Sequence, residues 1–276
     1  MTLALLLLLA GGWPAIVEQR PSGAVRLLTP GARLAQPALA SPSQAPWVDA
    51  NGWRLRRHPL QLHVYEDVPP GRLPLAVAEA YVYGGQAAIV ASAAARPSIE
   101  AMIAFLATID APALPPVGDV FVVDDGSALI GEILNLMSRR NLCYHSGPAP
   151  RGQHLVVVKV GDPEFPLSAA HDPSDFAYRV RRKLTDERRS LRIYGSDLVL
   201  GYWTAGQQRA RLHLLNYATE PAESFRVRLR GDWRVTRLAS FEDPDAALEE
   251  ISIFDGGIEF GVSKLSIYAV VDLEHP

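Results

Sequence analysis

The sequence predicts an α/β region followed by an all-β region: a partial parallel-sheet unit, then a C-terminal antiparallel β-sandwich. Two patterns carry that expectation. Between Leu62 and Leu184, short apolar runs alternate with helical stripes, as parallel strands with covering helices do. After Leu191 the helical pattern nearly stops, and short alternating segments separated by turns take over. The length of 276 residues and the 48% apolar content fit one large or two ordinary domains with a proper core. The expected organisation is a signal segment over 1–15, a Pro/Ala-rich linker over 16–46, an α/β domain over 47–190 and a β-sandwich over 191–276.

Leu3 to Ala10 is an apolar run far shorter than the ~20 residues that cross a bilayer. Small residues follow at Gly11, Gly12 and Ala15, as after a secretory h-region, and Ala38-Leu39-Ala40 is a second candidate cleavage site. A charged n-region is missing. The expectation is export, to a secreted or periplasmic location, with no stable membrane span. Pro14, Pro21, Pro30, Pro37, Pro42 and Pro46 then punctuate a stretch of linker composition, so folding is expected to begin near Trp47.

Asn51-Gly52 reads as a turn flanked by Trp47 and Trp53. Leu62-His63-Val64-Tyr65 reads as a strand broken by Pro69-Pro70-Gly71. Pro74 suits the first turn of a helix that Gly84-Gly85 ends, and Ala87 to Ala91 is a short apolar strand. Ile99, Met102, Ile103, Leu106 and Ile109 recur at helical spacing behind Ser98. Val120-Phe121-Val122-Val123 has the continuous apolar character of a buried parallel strand. A helix is expected from Ala128 to Arg140, with Asn141 in the left-handed position after it. Strands near Leu142–His145 and Leu155–Val160 follow, then a helix capped by Asp172 with the stripe Phe176, Val180, Leu184.

The sandwich strands are expected at 198–203, 210–216, 225–229, 235–239, 251–254, 258–262 and 267–273. Arg226, Arg228 and Arg230 alternate with Phe225, Val227 and Leu229, which gives one solvated and one buried face. Asp255-Gly256-Gly257 signals a hairpin.

A net charge of −3 and a pI near 6.2 argue against an electrostatic nucleic-acid binder. The arginine clusters at 54–57, 179–182 and 188–189 read as solvated faces or helix ends. A single cysteine, Cys143, excludes an internal disulfide framework and a Cys-based zinc site, and it reads as a buried small hydrophobe. His145, His154 and His171 match no metal signature. No cofactor or metal is expected, and no nucleophile elbow, P-loop or dinucleotide fingerprint occurs.

The candidate catalytic residues are Glu66 and Asp67, which follow one strand, and Asp124 and Asp125, which follow another. Ligands in open α/β sheets bind outside the carboxyl ends of strands. Gly126 and Ser127 add backbone N–H donors at a helix start, and His145 is a candidate ligand-binding residue with them. The competing reading of Asp124, Asp125 and Ser127 is helix capping. Adjacent carboxylates also suit a glycosidase poorly, since a retaining pair stands about 5 Å apart across the bond. Trp47 and Trp53 are candidate sugar platforms, while Trp203, inside a strand, reads as core.

The run Val120 to Ser127 with its helix and the strand Leu155–Val160 resembles a fragment of the flavodoxin-like, class I glutamine amidotransferase-like domain. In some secreted glycoside hydrolases, family 42 β-galactosidases among them, such a domain follows the catalytic barrel and a small β-sandwich closes the chain. Leu212-His213-Leu214-Leu215-Asn216-Tyr217 and the ending Ile267 to Leu273 resemble that sandwich, and 65–67 with 83–90 looks like the last turns of a barrel. No Cys occupies a strand–helix elbow, so the resemblance implies no amidotransferase activity. The strands that would carry two glycosidase carboxylates are missing from the pattern. The resemblance therefore implies a secreted, non-catalytic carbohydrate-associated or binding protein, with carbohydrate or another protein as partner. The alternatives are a small hydrolase acting on glycosidic bonds through the acidic residues, and an oligomerisation scaffold.

Overall fold

The computed structural model describes residues 15–18, 32–33, 48, 50–66, 68–109, 114–254 and 256–276. They fall into two compact units, one within Met1–Gln36 and Asn51–Ala111, the other within Pro37–Ala50 and Pro112–Pro276. The α/β part of the chain is thus shared between the units.

In the first unit the strands are β1 (Ala15–Glu18), β2 (Ala32–Arg33), β3 (Leu62–Tyr65) and β4 (Gln86–Ala91). They form one parallel sheet in the order β1-β4-β3-β2. The stretch expected to be linker therefore contributes two short strands. Their place comes from backbone pairing with β4 and β3, which composition does not reveal. The helices are α1 (Gly52–Arg57), α2 (Leu73–Val82) and α3 (Arg96–Ala107). Nearly every residue of α2 is buried, as expected of a helix apolar on all sides.

The turn expected at Asn51-Gly52 is instead the start of α1: Asn51 O accepts from the N–H groups of Arg54 and Leu55. Gly52 is required by packing rather than by a turn, since a Cβ there would stand 2.2 Å from the Tyr83 ring.

In the second unit β5 (Val120–Val123), β6 (Tyr144–Gly147) and β7 (Val156–Val158) form a parallel sheet in the order β6-β5-β7. The helices α4 (Ala128–Arg139) and α5 (Pro173–Leu184) accompany it. Ile133, Leu134, Leu136 and Met137 of α4 are fully buried. Burial of each such side chain is worth roughly 1.5–3 kcal/mol. Asn141 takes the expected left-handed conformation, φ 54°, after α4. Asp172 caps α5 by accepting from Ser174 N and Asp175 N.

The strand–helix alternation thus builds two parallel sheets where the sequence pattern suggested a single one. The proline-rich segment explains the break. Pro116 bridges to Thr204, Val117 N donates to Trp203 O, and Ala205 N donates to Pro115 O. That backbone is pinned to a sandwich strand before β5 begins.

The all-β region holds β8 (Leu191–Tyr194), β9 (Val199–Ala205), β10 (Arg209–Asn216), β11 (Ala222–Arg230), β12 (Arg234–Ser240), β13 (Leu248–Phe254), β14 (Gly257–Leu265) and β15 (Tyr268–Glu274). Two four-stranded antiparallel sheets result, β12-β15-β10-β9 and β13-β14-β11-β8. All seven expected strands are present, and β8 is an additional one at a sheet edge. Their inward residues, among them Trp203, Phe225, Val227, Leu229, Phe260 and Val262, form one core that also takes in Cys143. The fold is therefore the α/β region followed by a β-sandwich that the sequence predicts.

Candidate functional site

The carboxyl end of β5 is held by hydrogen bonds local to the chain. Asp124 N donates to Gly147 O at 2.8 Å, which extends the β5–β6 pairing by one residue. The Asp124 carboxylate accepts from Gly126 N at 2.9 Å, and that of Asp125 accepts from Ser127 N at 2.8 Å. Ser127 Oγ accepts from Ile130 N at 3.3 Å and is the N-cap of α4. Gly126, at φ 83°, allows the chain to reverse between the carboxylates and the helix. The two N–H groups that suggested an anion site thus already face carboxylates of the chain itself. The arrangement does what the capping reading requires.

His145 is not drawn to that end of the strand. It sits opposite Phe121, three residues before Asp124, and its ring turns back toward the segment leading into β5. Its Nε2 lies 3.0 Å from Pro116 O and its Nδ1 lies 2.9 Å from His154 Nε2. A carbonyl only accepts, so Nε2 of His145 carries the proton, and its Nδ1 accepts from His154 while both rings are neutral. Burial, then the neighbouring His145, hold His154 below the ordinary histidine range. Both ring nitrogens of His145 are engaged within the fold, which leaves neither poised as a general base.

Glu66 follows β3 and is half-buried. β3 and β5 belong to different sheets and different units, so Glu66 and Asp124 do not end neighbouring strands. Asp67 and Trp47 lie outside the described residues. Trp53 is on α1, half-buried, with the Arg54 guanidinium 4.7 Å from its ring centroid. Trp203 is core, as expected, edge-on to Trp233 at 5.8 Å.

Two polar clusters differ from the reading of the sequence, and Arg189, expected on a solvated face, is buried at 6% exposure because its guanidinium is held by Asp186 and by the carbonyls of Arg140 and Asn141. Glu79 of α2 is 2% exposed, yet its carboxylate accepts from Asn51 N at 2.6 Å and from the Tyr65 hydroxyl at 2.8 Å. A lone acid in the otherwise apolar run 73–82 was the available signal. The second cluster is the group of arginines around β11 and the segment 186–192, whose members are distant in sequence and meet through the β8–β11 pairing. Asp186 there is shared by three guanidinium groups, those of Arg181, Arg189 and Arg192. Hydrogen bonds from Arg181 hold the Asp186 carboxyl well below the usual carboxylate range.

Among the described residues, no group of three or more His, Cys, Asp or Glu side chains is placed to hold a metal ion, and no helix is long and apolar enough to cross a membrane.

No protein-family profile matches the chain. No curated protein matches it in sequence either. Solved structures do share its fold. α-L-fucosidase isoenzyme 2 from Paenibacillus thiaminolyticus superposes over 78% of this chain with a TM-score of 0.55 at 10% identity. The match spans 60% of that enzyme's chain. An exo-carrageenase of family GH42 from Bacteroides ovatus aligns over 76% of this chain and 39% of its own, at 8% identity and a TM-score of 0.34, a likeness too slight to build on. At this level of identity the first comparison establishes a fold shared with a glycoside hydrolase.

Proposed function

We propose that the chain is a secreted, carbohydrate-associated protein that binds saccharides without cleaving them, related to the C-terminal, non-barrel parts of glycoside hydrolases. The observation that carries this reading is the α/β-then-sandwich architecture shared with the fucosidase. The capping role of Asp124, Asp125 and Ser127 supports the absence of cleavage, because the best-placed acids of the chain have a structural use. The apolar run Leu3–Ala10 supports export. The competing reading, a small hydrolase acting through Glu66, Asp67, Asp124 and Asp125, needs two acids facing each other across a bond. Glu66 and Asp124 ending strands of separate sheets offers no support for that. Glycan-array binding of the purified chain tests the proposal: saccharide-dependent signal is expected, and uniform silence across the array contradicts it.

A further inference from the structure

The sandwich carries a cavity of about 380 Å³ lined by Glu187, Arg189, Arg228, Arg230, Phe254 and Gly256. That volume lies within the range of small-ligand sites. Arg228 and Arg230 are alternate residues of β11 and therefore share a face of the sheet. Antiparallel pairing of β11 with β14, and of β14 with β13, brings Phe254 and Gly256 beside them. Pairing of β11 with β8 brings the segment of Glu187 and Arg189 to the other side. A Cβ on Gly256 would meet nothing within 4 Å, so the rim is open there.

The lining is rich in arginine: Arg189, Arg228 and Arg230 accompany one acid, Glu187, among its described residues, and Glu259 stands opposite Arg228 across the β11–β14 pairing. The Arg228 guanidinium stacks over Phe254 at 4.2 Å and Arg230 Nη1 donates to Arg188 O at 3.2 Å. Among the described residues, neither arginine forms an ion pair. Arg189 is 6% exposed and fixed by Asp186 at 3.0 Å and by the carbonyls of Arg140 and Asn141. Its Nε–H is nevertheless buried with no hydrogen-bond partner among the described residues. Asp186 meets the charge of Arg189, together with those of Arg181 and Arg192, so the guanidinium groups left for a ligand are those of Arg228 and Arg230.

A planar fork of donors matches a carboxylate or a sulfate bidentately. An aromatic side chain and an acceptor carboxylate beside the forks suit the apolar face and the hydroxyl groups of a sugar ring. We propose that this cavity binds the anionic group of an acidic saccharide, a uronate carboxylate or a sulfate ester, through Arg228 and Arg230, with Glu187 accepting from ring hydroxyls. The inference rests on the carbohydrate reading above and narrows it to a ligand class and a place.

The experiment is titration calorimetry of the full chain with four probes: an oligogalacturonate, a sulfated galactan oligosaccharide, a neutral galacto-oligosaccharide and inorganic sulfate. The wild type is compared with Arg228→Gln/Arg230→Gln, with Arg228→Lys/Arg230→Lys, and with Arg179→Gln as a surface-charge control. Far-ultraviolet circular dichroism and the thermal midpoint of each variant establish that it is folded. The expected result is binding of at least one acidic saccharide more tightly than the neutral one. Affinity should fall by about tenfold or more in the double Gln variant, as loss of charge-assisted hydrogen bonds entails. The Lys variant should fall between, Arg179→Gln should match the wild type, and added salt should weaken binding. Which acidic probe binds distinguishes carboxylate from sulfate recognition. Equal affinity for acidic and neutral saccharides, or an undiminished affinity in the double Gln variant, overturns the inference while the carbohydrate reading stands. Binding of inorganic sulfate with no binding of the three saccharides overturns the inference and leaves only an anion site, and the glycan array then decides the carbohydrate reading separately.

Discussion

His213 Nδ1 lies 2.8 Å from the Tyr268 hydroxyl, joining β10 to β15, and the two rings stack with centroids 6.1 Å apart. Burial, then the nearby positive charge of Arg211, depresses the His213 imidazole to about 3. The folded state thus holds the ring neutral, while the unfolded chain takes up a proton below pH ~6.5. A group whose folded pKa is depressed and whose charged form is the protonated one costs stability as pH falls. The loss begins near 6.5 and continues toward 3 at up to about 1.4 kcal/mol per pH unit. Urea unfolding at pH 7.5 and pH 5.5 of the wild type and of His213→Gln isolates it. The wild type should lose about 1 kcal/mol more than the variant over this interval; parallel losses would mean that His213 is charged in the fold.

The carboxylate ends of β5 give a second expectation. Asp124→Asn keeps the oxygen that accepts from Gly126 N, so its unfolding free energy should stay within about 0.5 kcal/mol of the wild type. Ser127→Ala removes the N-cap of α4 and should cost about 1 kcal/mol. Denaturant titration measures both. A rise in stability on removing Asp124 or Ser127 would signal strain kept for function, contrary to the capping account.

Arg211 and Asp272 form a buried ion pair across β10 and β15, Nε to Oδ1 2.6 Å, with side chains 3% and 11% exposed. Arg211→Met alone strands the carboxylate and should destabilise the fold by about 3–5 kcal/mol. The double variant Arg211→Met/Asp272→Leu should recover much of that loss, because the desolvation cost of both charges disappears together. Thermal and urea unfolding of the wild type, these two variants and Asp272→Leu form the cycle; no recovery in the double variant would show that other contacts of these residues dominate.

Asn141 connects α4 to β9. Its Nδ2 donates to Val199 O at 3.0 Å and its Oδ1 accepts from Gly201 N at 2.7 Å, with the backbone at φ 54°. Asn141→Ala loses both hydrogen bonds and strains the left-handed backbone, for an expected cost of about 2–4 kcal/mol. Asn141→Gly loses only the bonds and should be milder. If Gly were as harmful as Ala, backbone strain would contribute nothing.

Much of this fold is legible in the sequence because burial imposes periodicity. The alternation around Arg226 to Arg230, the capping Asp172 and the left-handed Asn141 are local patterns with local causes. The motif 212–217 is legible as a strand, and the structure adds what its polar members do. His213 reaches Tyr268, and Asn216 Nδ2 donates to the carbonyls of Glu220, Leu265 and Ser266 while its Oδ1 accepts from Ala218 N.

Features created by pairing between distant segments are not legible. β8 is only four residues long and follows a charged run, so its place depends on β11. The strands β1 and β2 lie among prolines and depend on β4 and β3. The engagement of His145 with His154, and the meeting of Arg189, Arg228, Arg230 and Phe254 around one cavity, follow from register, which no single stretch of sequence encodes.

The most direct test combines calorimetric titration of the full chain against a broad panel of soluble poly- and oligosaccharides with assay of the reducing ends released in the same mixtures. Binding heat with at least one saccharide and no release above the protein-free control is the predicted result. Silence across the panel, or release of reducing ends that Asp124→Asn abolishes without lowering the thermal midpoint, would contradict the account.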